Sequence, residues 1–266
     1  IFTIKTPLKL QQMIIFAGKS EINTIMKISK LKSTSLLFAI VALFVACSEE
    51  KTIEKYENGN PKLVHILKKK DKTLQQVGEK RFYENGNKRH EGKIEGENRT
   101  GKWKFYFESG ALFASADFTD SPLGTNWEVF DSTGAVLVSK DDKVKELHFA
   151  ADGGLCDIKI VRGNNETFYK FFESFKVNIV SNMKGNIPNG ETTAWFENGK
   201  LNSYYYYKDG IQDSIYKVYT EEGSLLVSGQ YKQGTKVGKW EYFLSDGTPA
   251  GIEIYDIDGT LLKGRE

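Results

Sequence analysis

From residue 53 onward the chain runs in short alternations of apolar and polar residues, each closed by a glycine. The segments read KYENG to Gly59, RFYENG to Gly86, KFYFESG to Gly110, EVFDSTG to Gly134, AWFENG to Gly199, KVYTEEG to Gly223, EYFLSDG to Gly247 and EIYDIDG to Gly259. Alternation with period two is the mark of a half-buried strand. No long 3.6-residue periodicity competes with it after residue 50. Gly86, Gly110 and Gly134 are spaced by 24 residues, and so are Gly199, Gly223 and Gly247. A fixed period of about 20–50 residues signals a repeat architecture.

Side chains keep the same register. Seven residues before the glycine stand Trp103, Trp127, Tyr216 and Trp240; four before it stand Phe82, Tyr106, Phe130, Trp195, Tyr219 and Phe243. Two after it stand Leu112, Val136, Leu201, Leu225 and Leu261. A second turn falls midway, as in GENRTGKW and KQGTKVGKW, so each unit reads as one β-hairpin. Asn, Asp and Ser suit tight turns, and glycine supplies their positive φ. An isolated hairpin is marginal in water, whereas stacked hairpins share an aromatic face. The expected core is Trp103, Tyr106, Trp127, Phe130, Trp195, Tyr216, Tyr219, Trp240 and Phe243.

In this register the repeats ENGNKRHEGKIEGENRTGKWKFYFESGAL and EEGSLLVSGQYKQGTKVGKWEYFLSDG resemble the variant MORN repeat, found in bacterial proteins often labelled YwqK-type antitoxins. The resemblance covers residues 53–138 and 191–262, with the second repeat region drawn to the end of the chain, 191–266. It implies an all-β fold: an elongated, single-layer, twisted antiparallel sheet of successive hairpins. The implied role is scaffolding or binding, with no catalytic residues to carry over. An antitoxin or immunity role toward a partner toxin travels with the family label.

Residues 139–190 break the period, because Gly134 and Gly199 are 65 residues apart. LCDIKIV, TFYKFFESF and KVNIVSNM have strand-like lengths and patterns, so an irregular β insertion or degenerate repeats are expected there. A short helix at ETFYKFFESFK is the competing reading.

The first 46 residues differ in kind. From Met26 the chain reads MKISKLKSTSLLFAIVALFVAC: three lysines, an apolar run from Leu36 to Ala46, then Cys47. That run has the length of a signal-peptide core and falls short of the roughly 20 residues of a spanning helix. FVAC resembles a bacterial lipobox, with Phe44 where Leu is usual. The resemblance implies a signal peptide at 26–46, cleavage before Cys47 and acylation of Cys47. Residues 1–25 then read as an extension ahead of the expected start at Met26, and 47–52 as a tether. The acidic SEEK after Cys47 resembles the surface-export signals of Bacteroidetes lipoproteins. The expected location is the bacterial envelope, as an outer-membrane lipoprotein facing the periplasm or the cell surface.

Composition narrows the chemistry. Aromatic residues make up 13% of the chain and net charge is only +2, so no basic field for nucleic acid is implied. His65, His90 and His148 are scattered without metal-ligand spacing, and no cofactor motif is present. The string YDIDGTLLKG, with Asp256 and Asp258, resembles the first motif of haloacid-dehalogenase-type phosphatases. It also sits in the repeat register, and too little chain follows to supply that chemistry, so it reads as a turn. If Cys47 carries lipid, Cys156 stands alone, as a small apolar residue on a strand. No enzyme is expected.

Two stretches offer partner contacts. Phe105 and Phe107 exceed what the register demands, since Val129 and Asp131 replace them one unit later. Tyr204, Tyr205, Tyr206 and Tyr207 alternate across a strand, two to each face. Exposed tyrosines can stack on sugars or form a protein interface; a solvent-facing cross-strand ladder is the plainer reading. The sequence thus points to a membrane-anchored, non-enzymatic repeat sheet that binds a protein or envelope component.

Overall fold

The computed structural model describes residues 48–265. Among the described residues every element is a strand, and every neighbouring pair is antiparallel and adjacent in sequence. One sheet holds β1 (Glu49–Lys55), β2 (Pro61–Lys70), β3 (Thr73–Phe82), β4 (Lys88–Glu95), β5 (Asn98–Tyr106), β6 (Leu112–Asp117), β7 (Thr125–Phe130) and β8 (Val136–Val138). The other holds β9 (Lys143–Phe149), β10 (Leu155–Arg162), β11 (Asn165–Phe171), β12 (Val177–Lys184), β13 (Ile187–Trp195) and β14 (Leu201–Lys208). It continues through β15 (Ile211–Tyr219), β16 (Leu225–Lys232), β17 (Thr235–Phe243), β18 (Pro249–Tyr255) and β19 (Leu261–Lys263). The successive hairpins follow the repeat pattern, and the strands are divided between two sheets at Ser139–Asp142.

The turns alternate between two kinds. At one end of the hairpins the glycine-closed segments form tight loops: Gly86 N donates to Tyr83 O at 3.0 Å, and Tyr83 N donates to Asn87 O at 2.8 Å. The glycine takes φ near +88°, which a Cβ would strain. The E-N-G-N wording has a cause. Asn85 Oδ1 accepts from Asn87 N at 2.9 Å, while Asn85 and Asn87 donate their amides to Glu108 O of the next turn. The E-N-G turns are therefore tied to the turns that follow them. At the other end, two-residue turns such as Asp209–Gly210 and Gln233–Gly234 carry positive φ at both positions, the hairpin geometry that matches strand twist.

Residues 139–190 are strands throughout, and no helix forms at Glu166–Lys176. That segment is β11 followed by a turn in which Phe172 N donates to Lys176 O and Phe175 N donates to Phe172 O. Phe175 holds φ +65° in the place that glycine occupies in the other turns. It lies 24 residues before Gly199, so the period extends one unit into the interruption.

The two sheets meet face to face. Trp103, Phe105, Phe113, Trp127 and Val129 of the first sheet share one core with Leu155, Ile158, Ile160, Phe171 and Phe175 of the second. Phe113 stacks on Phe175 at 4.6 Å and meets Phe171 edge-on at 4.9 Å; Phe105 stacks on Phe149 at 6.0 Å. This core has no member beyond Val180, so β13–β19 continue as a single layer.

Candidate binding surface

Strand parity decides which aromatic residues form the core. Trp103, Trp127 and Trp240 are each 1% exposed, as expected. Tyr106 is three residues from Trp103 and therefore lies on the other face. There its hydroxyl donates to Glu91 Oε1 at 2.9 Å, and burial with that bond pushes the phenol up to about 12. Phe130, Trp195, Tyr216, Tyr219 and Phe243 are half-buried. The partner of the tryptophan in the core is the residue two positions on: Phe105, Val129 and Tyr242, all buried. Phe105 and Phe107, expected as surplus contacts for a partner, are thus core residues at 0% and 7% exposure. The packed second sheet covers them.

The tryptophan sits in a unit that occurs twice. The indole of Trp103 lies over Gly92 of β4, where an added Cβ would stand 2.1 Å from the ring; Trp240 lies over Gly229 of β16, where it would stand 2.2 Å away. Trp103 Nε1 donates to Lys93 O at 2.9 Å and Trp240 Nε1 to Gln230 O at 3.2 Å. A cation lies against each ring, Arg99 at 4.5 Å and Lys236 at 4.4 Å. Each residue stands 137 positions from its counterpart.

The same spacing relates residues that differ. Ile94, Phe105, Ala116 and Phe118 of the first unit correspond to Tyr231, Tyr242, Glu253 and Tyr255 of the second. The first unit is covered by Phe149 and Phe175. In the second, apolar groups give way to hydroxyls and a carboxylate. Glu253 Oε2 accepts from Tyr242 Oη at 2.5 Å and Tyr255 Oη at 2.9 Å, and Lys236 Nζ stands 3.4 Å away. The Tyr242 bond leads in holding the Glu253 carboxyl below the usual carboxylate range. Arg265 lies 3.3 Å from the Tyr242 ring centre. Tyr205, Tyr216 and Tyr231 extend this face toward Trp240, with neighbouring centroids 5.2 Å and 5.5 Å apart.

The four consecutive tyrosines divide as the alternation requires. Tyr205 pairs with Tyr216 on the tryptophan face, and Tyr207 lies near Tyr205. Tyr204 and Tyr206 stand on the opposite face, where Tyr206 is 37% exposed. An open groove between the β10–β11 and β12–β13 hairpin ends is lined by Asn164, Asn165, Asn182 and Asn189. Its charged members Arg162, Lys184 and Glu166 are already paired with Asp142, Asp209 and Lys145.

Other candidates have local structural tasks. Asp256 Oδ1 accepts from Asp258 N at 3.0 Å and Thr260 N at 2.8 Å, which makes the D-x-D-G-T string a capped turn. Those bonds, led by that from Thr260, hold its carboxyl below the ordinary range. His148 Nδ1 lies 2.7 Å from Asp157, and no group of three or more His, Cys, Asp or Glu converges among the described residues. Cys156 is half-buried, and burial pushes its thiol up. Cys47 lies outside the described residues.

The sequence reading missed three groups: Phe175, His90, and the arginines that hold the sheet junction. Arg89 bonds Asp152 and donates to Glu173 O at 3.2 Å; Arg99 donates to Gly153 O at 2.6 Å. Only Phe175 left a signal, its 24-residue phase with Gly199.

The class that these hairpins define is a repeat sheet. A family model described as MORN repeat variant matches residues 99–120 and 188–209. Both matches begin two residues before a positive-φ glycine, Gly101 and Gly190, so they share one structural register. Such repeats are generally binding or scaffold repeats. No curated protein matches the chain.

Proposed function

We propose that the protein is a non-enzymatic, lipid-anchored envelope protein that binds a protein or envelope component through the open face of β14–β18. The observation that carries this reading is the duplicated tryptophan unit. Where the chain covers the unit, its surroundings are Phe, Ala and Ile. Where no second layer covers it, they are Tyr and Glu, while a cation, Arg99 or Lys236, accompanies both units. Tyrosine presents a large rigid ring together with a hydroxyl, the chemistry favoured where a surface must be both wet and adhesive. The anchor rests on the lysine-rich, apolar and cysteine order of Met26–Cys47.

Two variants test the two halves of the proposal. Cys47→Ala is expected to move the protein from the membrane fraction to the soluble fraction; retention on the membrane removes the anchor. Tyr205→Ala with Tyr231→Ala is expected to abolish capture of the envelope partner while the far-UV spectrum is unchanged. Tyr206→Ala, on the opposite face, is expected to leave capture intact. Equal loss in both would place binding elsewhere.

A further inference from the structure

We propose that the seat of the 150–154 turn on β4 and β5 is an acid-sensitive clasp, in which a proton on His90 releases the leading edge of the second sheet from the first.

His90 is wholly buried on the face where the two sheets meet, 5.9 Å from the Trp103 ring and 5.8 Å from Phe105. Nδ1 has no hydrogen-bond partner, and Nε2 has only a long contact of 3.4 Å to Glu79 Oε1. The turn backbone closes over it: a Cβ on Gly153 would stand 3.2 Å from Nε2 and 3.0 Å from the Arg99 guanidinium. A neutral imidazole fits this aromatic slot. An imidazolium brings two donors that need acceptors, and burying a charge without them is costly.

The charges around the ring act in both directions: Glu79 favours the imidazolium, and Arg99 and Arg89 oppose it. From β3 come Glu79 and Arg81, with His65 of β2 directly opposite Glu79. From β4 comes Arg89, and from β5 Arg99. The second sheet contributes Asp152, already bonded to Arg89, while Glu173 offers its backbone carbonyl to Arg89. Buried Nε atoms of both Arg81 and Arg99 lack acceptors. Glu79 is therefore the one carboxylate left to balance two arginines, and a charged His90 becomes a third cation beside it.

Burial is the main cause that pushes His90 below its ordinary value, with Arg99 and Arg89 acting in the same direction and Glu79 against them. The sign follows from linkage. A histidine depressed in the folded state contributes stability above its unfolded pKa of about 6.5, and that contribution is lost as pH falls through the folded value. The cheapest relief is to lift the 150–154 turn and admit water. Lifting it uncovers Phe105, Phe113 and Phe175, the faces that hold the sheets together.

Amide hydrogen exchange of the full chain, corrected for intrinsic rates, tests the clasp at pH 7.5 and below. Residues 148–156 are expected to lose protection on the order of 10-fold in acid while β14–β17 keep theirs. His90→Phe keeps a ring in the slot without a proton and is expected to remove the acid step. Unchanged protection of 148–156 in acid overturns the proposal, as does an acid step that survives in His90→Phe. Glu79→Gln provides a second reading that does not depend on that variant folding. Removing the carboxylate disfavours the imidazolium, so the midpoint moves to lower pH; a midpoint that stays in place overturns the clasp.

Discussion

Phe175 and Phe113 stack with ring centroids 4.6 Å apart and planes 9° from parallel, and Phe175 does this from a backbone conformation of φ +65°. The repeat uses glycine at this turn position because a side chain there is strained. Here the side chain is kept, because it joins the two sheets.

Phe175→Gly accordingly sets two terms against each other. Losing a buried ring costs roughly 3–5 kcal/mol, and relief of the backbone returns about 1 kcal/mol. The expected net loss is about 2–4 kcal/mol in urea unfolding. A neutral or stabilising outcome means that the ring contributes nothing to the junction.

The glycines beneath the tryptophans make an independent test. Gly92→Ala and Gly229→Ala each force an indole off its seat and are expected to cost about 1–3 kcal/mol. Tryptophan emission shifts to the red as the ring gains water. Gly247→Asn, at an exposed turn with no neighbour within 4 Å of an added Cβ, serves as the control. It is expected to lose less than 1 kcal/mol, since Asn tolerates positive φ.

Trp103 and Tyr106 separate the two faces of β5. Trp103→Ala empties a fully buried site and is expected to cost about 3–5 kcal/mol. Tyr106→Ala, on the half-exposed face, is expected to cost about 1 kcal/mol through its Glu91 bond. Thermal unfolding of the pair decides the matter, and equal losses contradict the parity argument.

His148 behaves oppositely to His90. Its hydrogen bond to Asp157 raises it above the ordinary value. The pair therefore stabilises below pH about 6.5 and loses that contribution as pH rises through the folded value. Proton NMR should find His148 titrating above an unfolded histidine, and Asp157→Asn should return it to about 6.5. The effect on overall stability is small because His148 is largely exposed.

Much of the fold was legible because turns are written in few letters. E-N-G and S-D-G name a backbone conformation, and E-N-G also the bonds to the next turn, so the hairpins and their period follow from local chemistry. Facing is harder. The aromatic pair of Trp103 and Tyr106 recurs as Trp127 and Phe130, Tyr216 and Tyr219, and Trp240 and Phe243, and a shared register says nothing of a shared face until parity is counted. The junction left almost no trace. It joins Phe105 to Phe149 and Phe175, residues far apart in sequence, and one of its turns hides behind a phenylalanine in the glycine position. The tyrosine face was half visible, in Tyr205 and Tyr207 of the run Tyr204–Tyr207; Tyr231 and the buried Tyr242 with its partner Glu253 stand out only beside their counterparts in the first unit.

The strictly sequential strand order has a mechanical consequence. Within each sheet a strand is bonded only to the strands before and after it. A load drawing the chain ends apart therefore peels strands one at a time, each step breaking a single ladder against little resistance. Resistance rises when peeling reaches the two stacked layers around Phe113 and Phe175, where many contacts must shear together. The molecule behaves as a zipper with one lock, placed near its middle, and extension from either end stalls at the same point.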